Sequence, residues 1–240
     1  MVKYRICKLE GVYLSSKEGS KFKMKKLLKI VLLVVMLCVL VVTMTGCGTT
    51  DENQTNNGNN TVNNTTETPT VEFSRGEWVE NQYNNDFAKI KFNLPEGWVK
   101  ATDDQIAQLM NVGKEMLNQD QKKLAELAEE TTVYGMSANN PNNASSMMII
   151  FEKPILKVTP EYYLKNVKQQ LEALTEMDYT VGEQYTTDIA GEQYYVTDAK
   201  VEGYNIEQSY YVKAEGDYII GIIITSTEEG QRDIILNNFE

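Results

Sequence analysis

Histidine is absent from this chain, and that absence sets what chemistry the remaining residues could do. Without imidazole there is no Ser-His or Cys-His activation of a nucleophile and no histidine metal ligand. The cysteines are Cys7, Cys38 and Cys47. Cys47 follows Met44-Thr45-Gly46, where a small residue before a thiol suits cleavage and acylation of the new terminal cysteine. Elsewhere the reactive groups are carboxylates and phenols. Asp103-Asp104 and Glu228-Glu229 could be paired carboxylates for acid–base work, and both also sit where helix starts favour acids. Tyr194-Tyr195 and Tyr210-Tyr211 could line a sugar or peptide surface. On a strand one of each pair faces each side, so a sheet covered on both faces accounts for them without a ligand. Met147-Met148 could be soft metal ligands or core. Trp98, behind Pro95-Glu96-Gly97, could face a partner or plug the end of a core.

The stretch that positions Cys47 reads MKKLLKIVLLVVMLCVLVVTMTGC from Met24. Lysines come first, then 13 uninterrupted apolar residues from Ile30 to Val42, then small and polar residues. This is the layout of a secretory signal. Its end resembles a bacterial lipobox, with Met44 where leucine is usual. We expect residues 24–46 to be removed and Cys47 to be lipidated, leaving the protein on the extracytoplasmic face of a bacterial cell membrane. The alternative is a retained anchor, since spanning needs roughly 20 apolar residues and the flanks approach that length. Residues 1–23, mixed and polar, read as an extension ahead of a natural start at Met24, the alternative being a long n-region of the signal.

Processing at Cys47 changes the charge. From there on, 14 Lys and Arg stand against 32 Asp and Glu, a net of −18 where the whole chain carries −11. Such a surface repels phosphate backbones and argues against a nucleic-acid partner. It also argues against lying flat on anionic lipid, so the acyl chains would do the anchoring. Gly48 to Thr70 is almost wholly Asn, Thr, Gly and acids with one apolar residue, Val62. It cannot bury enough surface to offset the entropy of ordering. Residues 47–72 therefore read as lipidated cysteine and flexible tether, and residues 73–240 as one domain by size.

Within that domain, Arg75 to Tyr83 reads as a strand. Ala88, Ile90, Phe92 and Leu94 alternate with polar residues to make a second, stopped at Pro95. Thr102, with Gln105 three places on, is a capping box for a helix carrying Ile106, Leu109, Met110 and Leu117. Thr131 to Ala138 and Ser145 to Phe151 form a hairpin. Thr159 caps a second helix with Pro160 in its first turn and Tyr163, Val167 and Leu171 on its apolar stripe. A meander follows, over Tyr179–Thr187, Gln193–Lys200, Tyr204–Lys213 and Tyr218–Thr225. A last helix after Ser226 presents Ile234, Ile235 and Phe239. Met147 to Phe151 and Tyr218 to Thr225 are apolar on both faces, which requires cover on both sides of the sheet. The expected class is α+β: an antiparallel sheet sandwiched by helices (α/β/α), in the order ββ-α-ββ-α-ββββ-α.

Phe92-Asn93-Leu94-Pro95-Glu96-Gly97-Trp98 before a Thr-Asp-Asp-capped helix resembles the PsbP/DcrB-like lipoproteins of bacteria. So do Ile189-Ala190-Gly191-Glu192-Gln193-Tyr194, the Tyr-rich strand after it and the closing helix. That resemblance implies an antiparallel sheet between helices and a non-enzymatic accessory or scaffold role, and it carries over no catalytic residue, cofactor or metal. The reading is a lipid-anchored accessory or binding protein that docks on an unknown envelope protein, with Trp98, Pro95 and Gly97 as the candidate surface. The rival is a solute-binding or carboxylate-dependent hydrolytic domain.

Overall fold

The computed structural model describes residues 72–115, 130–174 and 178–240, together with positions 119 and 126. The leader, Cys47, the tether and the far part of the first helix's stripe lie outside the described residues.

The centre of the fold is a pair of strands with no polar face. In β6 (Ser146–Glu152) and β11 (Tyr218–Ser226) nearly every residue between the ends is buried. They lie side by side, antiparallel, Ile222 opposite Ile149. Around them run β4 (Val99–Lys100), β5 (Thr132–Asn139), β7 (Tyr179–Val181), β8 (Tyr185–Ile189), β9 (Glu192–Val201) and β10 (Ile206–Glu215). The eight form one antiparallel sheet in the order β4-β5-β6-β11-β10-β9-β7, with β8 also on β9. Side chains alternate across the pleat, so each strand feeds two cores. Met148, Ile150, Tyr210, Val212 and Ile223 point to one. Met147, Ile149, Phe151, Tyr211 and Ile222 point to the other.

Two helices cover the first core. α1 (Asp103–Glu115) starts as expected: Thr102 N–H donates to Gln105 Oε1 at 2.8 Å and Gln105 N–H donates to Thr102 Oγ1 at 3.2 Å. It places Met110 in the core. α2 (Pro160–Glu172) is capped by Thr159 and buries Tyr163, Leu164, Val167 and Leu171.

The second face is covered differently from the helix layer expected. A separate three-stranded sheet, β1 (Glu77–Val79), β2 (Gln82–Asn85) and β3 (Ile90–Asn93), lies there together with the short α3 (Gln231–Leu236). Tyr83, Ile90, Phe92, Trp98 and Ile235 fill that core. The antiparallel α+β class stands, and the element order becomes ββββ-α-ββ-α-βββββ-α. Three boundaries differ. The strand expected over Arg75–Tyr83 folds back on itself at Glu80-Asn81, Glu80 taking φ 49. Tyr179–Thr187 breaks at Gly182 into β7 and β8, both pairing with β9. The last helix begins at Gln231, after Gly230 in the left-handed region, and is too short to bury a wide stripe. Ile235 is buried and Phe239 packs on the core, but Ile234 is 45 % exposed.

The two sheets meet tightly at Gly135, where the register of β5 shifts between Tyr134 and Met136. A Cβ there would lie 2.6 Å from a Phe151 ring carbon and 2.8 Å from Tyr83 Oη. Both are buried groups with no room to retreat. We expect Gly135→Ala to destabilise the domain by about 1–3 kcal/mol, as overpacking does. Gly182→Ala, with only a 3.4 Å backbone neighbour, should cost less. Urea unfolding midpoints check the difference.

Candidate functional site

The Pro95–Trp98 turn does not present the surface the sequence suggested. Trp98 N–H donates to Pro95 O at 3.1 Å, closing a turn with Gly97 at φ 78. That closure swings the indole inward: Trp98 is 6 % exposed within the second core, and Pro95 is buried too. Only Glu96 and Gly97 reach solvent. Trp98 is a core plug, and of the three expected surface residues Trp98 and Pro95 are buried while Gly97 alone is exposed. Cys47 lies outside the described residues.

The paired residues separate as strand geometry requires. Tyr210 enters the first core and Tyr211 the second; Tyr194 enters the second, and Tyr195 packs half-buried on the first. Met147 and Met148 divide likewise. Asp103 is exposed at the start of α1 and pairs bidentately with Arg75, at 2.7 and 3.3 Å. The guanidinium's hydrogen bond holds the carboxyl below its usual range. Among the described residues no group of three or more Cys, Asp or Glu is placed to hold a metal ion.

Three polar constellations emerge that the sequence did not single out. The first is buried. Lys213, 5 % exposed, donates to Ala88 O at 2.6 Å and to Glu192 Oε2 at 2.9 Å, 5.3 Å above the Tyr194 ring. Burial lowers its pKa, and its hydrogen bond holds Glu192 below the usual carboxylate range. Lys89, at φ 54, adds a 3.4 Å contact to Glu192. The ammonium thus ties the β2–β3 turn to the large sheet.

The second gathers β8, β9, β10 and α3 around Asp198. Ser209 Oγ donates to Oδ1 at 2.5 Å, Tyr185 Oη to Oδ2 at 3.1 Å, and Arg232 approaches Oδ1 at 3.4 Å. A serine beside an aspartate suggests nucleophilic chemistry, but a nucleophile must be reachable and its base free to take a proton. Ser209 is 1 % exposed, and three donors already occupy the carboxylate. The arrangement is a clasp. Desolvation pushes the Tyr211 phenol beside it up to about 12.

The third is Glu152, fully buried at the end of β6. Tyr163 Oη donates to its Oε1 at 2.8 Å, while Oε2 and the cross-strand Thr132 Oγ1 find no hydrogen-bond partner among the described residues. Burial pushes its pKa up to about 8, which favours the protonated acid at neutral pH. The one signal in the sequence was an acid in register with the two-faced strand's apolar run.

Two shallow grooves of about 300 Å³ flank the large sheet's ends. One is lined by Lys153, Ile155, Lys157 and Tyr218 beside the β10–β11 turn. The other holds Glu202, Glu207, Glu228 and Glu229. There Glu202 accepts from Thr180 at 3.0 Å and Glu228 from Asn143 at 3.2 Å, so these carboxylates also tie neighbouring segments together.

No family model matches this sequence, and no curated protein matches it. Among solved structures, the chain is similar to cyanobacterial PsbP (CyanoP) from Synechocystis. Sequence identity is 12 %, the TM-score is 0.40, and the match covers 66 % of this chain and 90 % of that one. Likeness at this level carries no function with it; the antiparallel α+β architecture stands on the strand pairing itself.

The buried acid gives a pH test. A carboxyl whose folded pKa exceeds its unfolded one binds more protons when native between the two values, so stability falls as pH rises through that window. From about pH 4.5 to about pH 8 the wild type should lose stability relative to Glu152→Gln, with a limiting slope of about 1.4 kcal/mol per pH unit. Parallel stability–pH curves for the two proteins would contradict this. Lys213→Met should loosen the small sheet, costing about 1–3 kcal/mol for the acceptors left unpaired. Hydrogen exchange should quicken at Ala88 to Phe92 before it does in β6.

Proposed function

We propose that this protein is a lipid-anchored accessory or binding protein of a bacterial envelope, held by acyl chains on Cys47 at the extracytoplasmic face and docking on a protein complex there. The observation that carries this reading is the leader: lysines, an apolar run of 13 residues and Thr45-Gly46-Cys47 in sequence. The domain's chemistry supports it. Its buried or clustered polar groups (Lys213, Asp198, Ser209, Glu192) are engaged as fasteners between elements, which suits a rigid platform better than a reaction centre. We do not assign docking to the Trp98 turn, whose ring is turned into the core.

Anchoring is tested on the full chain in a bacterial host. Wild-type protein should partition into detergent and yield a terminal Cys47 peptide bearing acyl mass. Cys47→Ala should remain at precursor mass and lose lipid label. Normal processing and labelling of Cys47→Ala would overturn the proposal. Crosslinking from the anchored form should then recover one recurrent envelope protein rather than abundant neighbours.

A further inference from the structure

At one end of the large sheet the chain turns two aliphatic side chains into solvent. Ile155 is 83 % exposed and Leu156 58 %, in the loop between β6 and α2. Isolated exposed apolar residues are ordinary, but these are consecutive and set in a basic frame. Between Lys153 and Lys168 the sequence carries four lysines and one acid, Glu161, in a chain of net charge −11; of these, Lys153 lies 3.9 Å from Asp217 and Lys168 3.3 Å from Glu183. The four lysines are among the 14 basic residues that follow Cys47.

The same end receives the chain from its amino-terminal side. The Phe73 ring stacks on Tyr218, centroids 4.3 Å apart and planes within 6°. Tyr218 forms a wall of the groove beside Ile155, and Lys153 Nζ lies 5.5 Å above its ring. Any tether from Cys47 therefore enters the domain next to the Ile155-Leu156 loop. The 23 residues from Gly48 to Thr70 would span roughly 25–30 Å as a coil, which holds this end near whatever surface carries the anchor.

We propose that the 153–157 loop is a second membrane contact: Ile155 and Leu156 enter the interfacial region of the bilayer, and Lys153 and Lys157 meet anionic headgroups. Aliphatic residues bracketed by lysines are the composition of an interfacial anchor. The domain's net negative charge, which disfavours a flat approach to anionic lipid, is felt less at this end because the groove glutamates Glu202, Glu207, Glu228 and Glu229 lie at the other end of β10 and β11. A ten-residue strand is roughly 33 Å long, and charges more than about 10 Å apart in salt are screened. Three acids toward that end have a lysine partner: Asp217 has Lys153 at 3.9 Å, Glu192 has Lys213 at 2.9 Å and Glu215 has Lys89 at 3.9 Å. This inference rests on the anchoring proposed above.

The test places an environment-sensitive fluorescent amino acid at position 155 or, as control, at the exposed Asn142 beyond the opposite end of β6. The full chain is reconstituted in vesicles of phosphatidylcholine and phosphatidylglycerol, 3:1, carrying acyl-brominated lipid. We expect several-fold stronger quenching at 155 than at 142, reduced by half or more in Lys153→Glu/Lys157→Glu. Equal quenching at both positions overturns the proposal. So does shielding of 155 that depends on protein concentration without lipid, which would assign the loop to a second copy. The readout works whether acyl chains or a retained apolar segment hold the chain. The mass of the Cys47 peptide reports separately on acylation, so loss of one conclusion is distinguishable from loss of the other.

Discussion

The constraint on which this structure depends is that β6 and β11 have no side fit for water. Five consecutive residues of β6, Met147 to Phe151, are buried, and Ile219 to Ile224 match them on β11. Each exposed aliphatic side chain would forfeit about 1.5–3 kcal/mol relative to burial. Two layers must therefore be brought to the sheet, one for each face. α1 and α2 form the first. The second is assembled from the first and last described elements, the β1–β3 sheet and α3. Its seam is closed by backbone pairing: Asn93 N–H to Asn238 O at 2.9 Å and Glu240 N–H to Lys91 O at 3.0 Å. The last residues thus extend the small sheet.

Apolar layers specify burial but not register, and the polar fasteners supply it. A hydrophobic face tolerates sliding; a buried ammonium does not, since displacement leaves it without its acceptors. Lys213 binds Ala88 O and Glu192 together, which fixes the β2–β3 turn over one point of β9 and β10. Asp198 does the same for α3 through Arg232 and Ser209. Arg75 does so for α1 through Asp103, although that pair is exposed and its contribution is correspondingly small. Glu152 belongs to the same set but differs in that burial favours its protonated form, with Tyr163 Oη donating to Oε1 at 2.8 Å.

What was legible in the sequence was whatever local pattern decides. The Thr102/Gln105 box, the Thr159-Pro160 start and the Thr131–Phe151 hairpin depend on neighbours within a few positions, and all three form. The two-faced strands announced that both sides would be covered. They could not announce by what, because a small sheet and a helix present the same apolar demand. The strand over Arg75–Tyr83 was read through its turn because Glu80-Asn81 has no glycine, and Glu80 adopts positive φ under tertiary constraint. Trp98 was legible as either plug or surface; the choice lay in one 3.1 Å turn bond. Lys213 and Asp198 were illegible for a different reason. Their partners are 21 to 125 and 11 to 34 residues away, and no local spacing encodes such pairs.

That distribution of fasteners leaves the two ends of the large sheet unlike one another. At the end of Asn142, Tyr204 and Glu228, loops carry amides and carboxylates that bond mostly to each other, such as Asn205 to Thr227 O and Asn143 to Glu228. At the other end Phe73, Phe87, Phe151 and Tyr218 form one aromatic cluster, with ring centroids 4.3 to 6.5 Å apart. Phe73, which precedes β1, is held in that cluster by ring contacts and not by a strand edge. This end is aromatic, and the loop beside it exposes Ile155 and Leu156. The opposite end is polar, its loops tied to one another by side-chain hydrogen bonds. The polarity follows from topology: in an antiparallel meander every second connection returns to the same end, so two loop sets of different composition give the domain two chemically distinct poles.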